Sequence, residues 1–167
     1  MDVVIEVLTK NHCREIFDCG DSNLNKYLHR YAMQDINRRI NKVFVAVDSA
    51  GSKTICAYYG LCAGTVDVVD LPILIRQKLP KYPLPVVLLS RLAVDQKHQG
   101  KGLGAVMLAD ALCRVTRASE VIAVYAVIVD ATDSQAAGVY KQFGFLPLPS
   151  NPLKLFIPLD TIRKLVE

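Results

Sequence analysis

The sequence predicts a mixed α/β fold with helices flanking a central sheet, and three observations carry that expectation. Two runs, VVLLSRLAV (86–94) and VIAVYAVIV (121–129), are almost continuously apolar, as strands buried on both faces are. Leu24, Tyr27, Leu28, Tyr31 and Ala32 recur at helical spacing and predict an amphipathic helix. Between the first apolar run and a stretch of helix formers lies QGKGLG (99–104), three alternating glycines where a strand hands over to a helix.

Taken in order, VVIEVL (3–8) alternates weakly and reads as a strand, with a short helix expected over 10–17. The amphipathic helix follows over 22–37, capped by Asp21 or Ser22. VFVAVD (43–48), the turn SAGSK and TICAYYGLCAG (54–64) predict a β-hairpin. Residues 71–85 carry Pro72, Pro80, Pro83 and Pro85 and predict a loop with one helical turn at most. After the strand 86–94 come the glycine turn, a helix over 102–117 and the strand 121–129. SQAAGVYKQF (134–143) predicts a short helix with Asp133 as N-cap and Gly144 as its end. FLPLP and LKLFIPL supply closing strands. Neither a repeat nor a linker interrupts the chain, so residues 1–167 are expected to form one domain.

A backbone stripped of side chains at the start of a helix suits an anion. The first N–H groups of a helix lack partners and sit at the positive end of its dipole. The P-loop spacing fails, since no Lys-Ser or Lys-Thr follows the last glycine. The dinucleotide fingerprint also fails, because Gly100, Gly102 and Gly104 are spaced G-x-G-x-G. What remains is Q-x-x-G-x-G, which by itself fits either a phosphate cradle or a plain glycine turn.

With 51% hydrophobic and 22% charged residues the chain reads as globular, not disordered. No apolar run approaches the ~20 residues of a membrane helix. MDVVIEVLTKNH lacks the form of a secretory leader. Cys13, Cys19, Cys56, Cys62 and Cys113 form neither a CxxC pair nor a ligand spacing with His12, His29 and His98. No metal and no disulfide are expected, and a reducing cytoplasm fits best. The histidines have no partner at catalytic spacing and receive no role. The net charge of +4 is concentrated: Lys26, Arg30, Arg38, Arg39 and Lys42 against Asp35 account for all of it within residues 26–42.

SRLAVDQKHQGKGLGAVML, followed by DSQAAGVYKQFGF, resembles the GNAT superfamily of N-acetyltransferases, whose signature is [QR]-x-x-G-x-[GA] with a later Y-x-x-x-GF. FDCGDSNLNKYLHRYAMQD, YYGLCAG and LPKYPLPVVLLSRLAVD extend the resemblance over nearly the whole chain, to the TacT/AtaT-like toxins of bacterial type II toxin–antitoxin systems. The resemblance implies a twisted mixed sheet of six to seven strands flanked by about four helices. It also implies acetyl-CoA as cosubstrate and, as acceptor, the amino group of the amino acid on charged tRNA. The implied partners are a ribbon-helix-helix (DUF1778-type) antitoxin, operator DNA reached only through that antitoxin, and a second copy in a homodimer.

Carried over residue by residue, the pattern puts the pantetheine arm against Leu92, Ala93 and Val94, by pairing with free strand backbone. The pyrophosphate falls on Gln99, Gly100, Lys101, Gly102, Leu103, Gly104 and Ala105. Asp133 stands where many GNAT proteins have an Asn that contacts CoA; the departure from Asn points to helix capping as its role. Tyr140, the Y of Y-x-x-x-GF, is the expected acid. A phenol within reach of the departing sulfur can donate its proton, a contribution of about 10²–10⁴-fold. Tyr27, Tyr31, Tyr58, Tyr59 and Tyr125 read as core aromatics.

The strand 86–94 offers no carboxylate or histidine as base, only Arg91. An α-amine with a pKa of about 8 is partly neutral at cellular pH, whereas a lysine amine near ~10.4 is not. An aminoacyl ester therefore suits such a site. Lys26, Arg30, Arg38 and Arg39, with Arg76, Lys78 and Arg91, are the expected RNA-phosphate contacts. Two alternatives stay open. One is a GNAT acting on a small amine, a polyamine or a protein N-terminus. The other is a non-catalytic CoA- or nucleic-acid-binding module.

Overall fold

The computed structural model describes residues 2–166. Its strands are β1 (Val4–Val7), β2 (Lys42–Val47), β3 (Ile55–Val66), β4 (Leu84–Val94), β5 (Ala126–Asp130), β6 (Leu146–Leu148) and β7 (Asn151–Pro158). Its helices are α1 (Ser22–Lys26), α2 (Ala32–Asn37), α3 (Ile73–Arg76), α4 (Leu103–Ala118), α5 (Ser134–Gln142) and α6 (Leu159–Val166). The seven strands make one sheet in the order β1-β2-β3-β4-β5-β7-β6. The chain divides into two compact units, Met1–Cys62 with Ser90–Ala111, and Ala63–Leu89 with Leu112–Glu167.

In the first unit β1 and β3 flank β2, both antiparallel to it. Leu8, Phe17, Leu28, Val43, Val45 and Tyr58 form its core, each 2% exposed or less. Burying one such side chain contributes roughly 1.5–3 kcal/mol. Asp21 caps α1, accepting from the N–H groups of Asn23 and Leu24. The predicted helix 22–37 is interrupted by a π turn, Tyr27–Tyr31, where the N–H of Ala32 bonds the carbonyl of Tyr27. The extra residue rotates the apolar face. Tyr27, Leu28 and Ala32 stay buried, Met33 and Ile36 pack beneath them, and Tyr31, predicted for the core, is 44% exposed.

No helix forms over 10–17. The N–H of Thr9 bonds His12 Nδ1, and Cys13 makes an isolated parallel bridge to Thr54, which commits that backbone elsewhere.

In the second unit β4 runs parallel to β5, from Val86 opposite Ala126 to Leu89 opposite Val129. β7 lies antiparallel between β5 and β6. Its core gathers Leu71, Leu84, Val86, Ala126, Ile128 and Phe156. The strand predicted over 121–129 begins only at Ala126. Val121 and Ile122 are taken up by the exit of α4, both bonding the carbonyl of Ala118, and are 92% and 67% exposed. Asp133 caps α5 by accepting from Ala136, and Gly144, at φ +104°, follows its end. The single predicted helical turn in the proline loop is α3. The closing helix α6, which the sequence reading missed, buries Ile162.

Candidate active site

β4 delivers Leu92 and Val94 half-buried and Ala93 in the core, and the chain then turns through a 3₁₀ turn, Gln96–His98, into the glycines. Gly100 and Gly102 have φ of +78° and +82°, a conformation that L side chains rarely hold. A Cβ on either would meet nothing within 4 Å. Neither glycine is therefore demanded by packing: the backbone turns in open space, its surface free for a ligand. Gly104 differs. It lies in α4 with no unusual φ, and a Cβ there would meet only Val94 Cγ2 at 3.8 Å. Leu103 is 1% exposed and anchors α4, while Lys101 and Ala105 are exposed. The 16-residue α4 thus presents the free N–H groups of its first turn beside a backbone of minimal bulk. This donor set fits a pyrophosphate. Gln99 does not leave its amide free: Nε2 donates to the carbonyls of Cys19 and Val94, at 2.9 and 2.8 Å.

Arg91 Cζ lies 3.5 Å from the centroid of the Tyr27 ring. The Tyr27 hydroxyl donates to Asp35 Oδ2 and accepts from Asn41 Nδ2, each at 2.8 Å, and Ser90 Oγ donates to Asn41 Oδ1 at 3.2 Å. Gly60 makes room for this network, since a Cβ there would come within 2.8 Å of Asn41 Nδ2. Burial raises the Tyr27 phenol above its ordinary range, so it remains a donor. Tyr27 is thus a core aromatic, as predicted, and also the platform for an arginine, which sequence reasoning missed.

Among the predicted cations, Lys26 and Arg30 line one depression of about 400 Å³ with Ser22, Asn25 and His29. Arg38 and Arg39 are exposed beyond the end of α2. There Arg39 bonds the carbonyl of Ile36 and Ile40 that of Asp35, the pairing of a Schellman motif. Arg39 takes φ +61° at the position where glycine is usual. Arg76 and Lys78 belong to the second unit; Arg76 donates to the carbonyl of Val69 at 2.8 Å and lines a cavity of about 510 Å³ with Lys81 and Tyr82.

Tyr140 and Asp133 also belong to the second unit. Asp133 Oδ1 is occupied with the Ala136 N–H at 2.8 Å, the capping role expected of it. The Tyr140 ring packs edge-on against Phe145, centroids 5.4 Å apart, and is 8% exposed. Burial pushes its phenol up to about 12, so it holds its proton at neutral pH. Among the described residues no group of His, Cys, Asp and Glu could hold a metal ion, and no helix is long and apolar enough to cross a membrane.

Residues 39–147 match the family model of the acetyltransferase (GNAT) domain. The chain is 35% identical over 150 residues to a tRNA-acetylating toxin of Mycobacterium tuberculosis (strain ATCC 25618 / H37Rv), covering 90% of this chain and 88% of that one. It is 28% identical over 172 residues to a probable toxin TacT of Sinorhizobium fredii (strain NBRC 101917 / NGR234), covering 98% and 94%. Among solved structures, AtaT complexed with acetyl-methionyl-tRNAfMet superposes with a TM-score of 0.90 at 30% identity, over 99% of this chain and 100% of that one. AtaTR bound with AcCoA gives 0.87 at 32%, over 99% of each. A tyrosine-to-phenylalanine mutant of AtaT bound to the C-terminus of the antitoxin AtaR gives 0.85 at 28%, over 99% and 98%.

Proposed function

The chain belongs to the GNAT acetyltransferase family, and from that premise we propose that it is the toxin of a type II toxin–antitoxin system. It transfers the acetyl group of acetyl-CoA to the amino group of the amino acid on charged tRNA and so blocks translation. The observation that carries this reading is the turn at Gly100 and Gly102, open-sided and at positive φ ahead of α4, in a chain so like toxins that acetylate tRNA or bind AcCoA.

Acetyl-CoA supplies an activated acetyl thioester; the remaining work falls to the protein. Leu92, Ala93 and Val94 hold the pantetheine arm through strand backbone, and the N–H groups of residues 99–105 hold the pyrophosphate. Asp133 fixes the start of α5, on which Tyr140 is carried. Tyr140 donates its proton to the departing sulfur. The acceptor amine needs no strong base, because an α-amine is partly neutral near pH 8. Lys26, Arg30, Arg38, Arg39, Arg76, Lys78 and Arg91 contact tRNA phosphates. The depression between Lys26 and Arg30 supports this reading, as does an arginine kept at a glycine position.

Residues 1–167 act as a single catalytic domain in the cytoplasm, as a homodimer. A ribbon-helix-helix antitoxin holds the toxin in check and carries it to operator DNA. Likeness to a toxin bound to its antitoxin's C-terminus supports that partner.

The deciding experiment supplies the purified chain with labelled acetyl-CoA and either charged tRNA, uncharged tRNA, spermidine or a peptide with a free N-terminus. Label on charged tRNA alone is expected. Label on spermidine or peptide with none on charged tRNA overturns the substrate. No label on any acceptor overturns catalysis.

A further inference from the structure

We infer that Asp95 is a positioning residue for the glycine turn, clamping the loop 17–21 to the end of β4 and thereby setting the N–H groups that receive the pyrophosphate. The inference rests on the reading that acetyl-CoA binds at that turn. Gly100 and Gly102 carry no side chains and have nothing packed where a Cβ would be. Their geometry must therefore be imposed from the two ends of the turn. At one end stands α4, anchored by buried Leu103. At the other stands Asp95, 8% exposed and one of the few buried charged residues.

Each of its oxygens is used. Oδ2 accepts from the N–H of Asp18 and Oδ1 from that of Lys97, both at 3.0 Å, while its own N–H donates to the carbonyl of Cys56 at 2.8 Å. Asp18 answers through its carbonyl, which accepts from the N–H of Gln96 at 2.8 Å. Gln99 Nε2 adds the bonds to Cys19 and Val94. Two segments far apart in sequence are thus laced together immediately before Gly100.

The loop is itself cross-bonded. The Asp18 carboxylate accepts from the N–H of Gly20 and from Asn25 Nδ2, both at 2.9 Å, and these bonds, the Gly20 N–H foremost, hold it below the usual carboxylate range. The N–H of Cys19 donates to Asn25 Oδ1 at 2.9 Å, tying the loop to α1. Gly20 sits at φ +90°, a backbone that L side chains rarely hold, and a Cβ there would also push aside the end of the Gln96 side chain, whose Nε2 lies 2.7 Å away. A carboxylate accepting two N–H groups in a buried site makes stronger bonds than a neutral acceptor would.

The test uses the full chain with Asp95→Asn, which turns one acceptor oxygen into a donor, and Gly20→Ala, which strikes the clamp from its other side. Acetyl-CoA binding is measured by calorimetry, amide exchange of residues 99–105 is followed in the ligand-free protein, and initial rates are fitted for acetyl-CoA. Both variants are expected to exchange faster in that segment and to bind about tenfold more weakly. The KM for acetyl-CoA should rise by the same factor while kcat at saturation changes less than about twofold. Wild-type affinity and exchange in folded variants overturn the inference, as does a loss confined to kcat. Should Asp95→Asn fail to fold, Gly20→Ala decides alone. A Gly102→Glu control separates the premise: unchanged affinity there removes acetyl-CoA from the turn, whatever Asp95 does.

Discussion

Arg91 Cζ stands 3.5 Å from the centre of the Tyr27 ring, and that ring is itself pinned by Asp35 and Asn41. A cation over an aromatic face gains roughly 0.5–2 kcal/mol, and the stack fixes where the guanidinium points. Arginine, planar and forked, can stack and still bind a phosphate; a lysine ammonium cannot do both. Arg91→Lys should therefore cost about tenfold in kcat/KM for charged tRNA despite keeping the charge. Tyr27→Leu, which removes the platform, should do the same. Tyr27→Phe keeps the ring but strands buried Asn41, so it should lower stability by about 1–3 kcal/mol and leave KM for tRNA near wild type. Thermal melts and initial rates on the three variants separate the two effects. Wild-type rates in Arg91→Lys would reduce the residue to a plain surface cation.

The three glycines should not respond alike. Gly102→Ala forces a Cβ into φ +82° and is expected to distort the turn, costing about 1 kcal/mol and weakening acetyl-CoA. Gly104→Ala meets only Val94 at 3.8 Å and removes a helix-breaking residue, so it should stabilise α4 by up to about 1 kcal/mol and keep the cosubstrate. Gly104→Leu should fold and lose binding, because its bulk projects from the first turn. Melting temperatures with calorimetric titration check all three. Equal behaviour of Gly102→Ala and Gly104→Ala would mean that positive φ is not what the site needs.

The raised phenol of Tyr140 sets a pH dependence. In the proposed mechanism Tyr140 is the acid, active when protonated, and burial moves the loss of its proton to about 12, far above the assay range. The rate should therefore rise with the deprotonation of the acceptor amine, through about pH 8 or below, and then stay level to about pH 9.5. Tyr140→Phe should fold, bind acetyl-CoA and lose at least about tenfold in turnover across that whole range. A falling limb below pH 9 in the wild type would assign the proton to another group.

Much of this was legible in the residues because it rests on local rules. Apolar runs placed β2, β3 and β4, Asp133 declared itself as a cap, Asp21 proved the cap of the two candidates Asp21 and Ser22, and Gly100 and Gly102 sit at positive φ as a glycine turn requires. Where tertiary structure overrode the pattern, the reading failed. Val121 and Ile122 look like strand but serve the exit of α4, and Tyr31 follows the helical repeat until one extra residue in the π turn swings it outward. The clamp at Asp95 was not legible because its partner Asp18 is 77 residues away, although an Asp opening the turn after a strand is a capping signal. The Tyr27–Arg91 stack was hidden for the same reason.

The Schellman end of α2 turns the charge argument into an experiment that isolates charge. Arg39 holds φ +61°, where glycine would cost nothing, so its side chain is retained against a backbone penalty of about 1 kcal/mol. Arg39→Gly should therefore be neutral or stabilising, and Arg38, exposed at the helix end, can be truncated without touching the core. In the double variant Arg38→Ala/Arg39→Gly, a loss of tRNA binding cannot be blamed on folding. If both arginines meet phosphates, the slope of log affinity against log salt should become shallower by up to about two units. The effect should be alike for all tRNAs, because phosphates carry no sequence. Acetyl-CoA affinity, measured without RNA, should stay at the wild-type value. Equal slopes would leave the arginines as a solvated helix end and shift phosphate binding to Lys26 and Arg30, whose shared depression with His29 is the other cationic feature of the segment. Lys26→Ala/Arg30→Ala, run in the same salt series, should then lower the slope by up to about two units, with Arg76, Lys78 and Arg91 carrying the remainder.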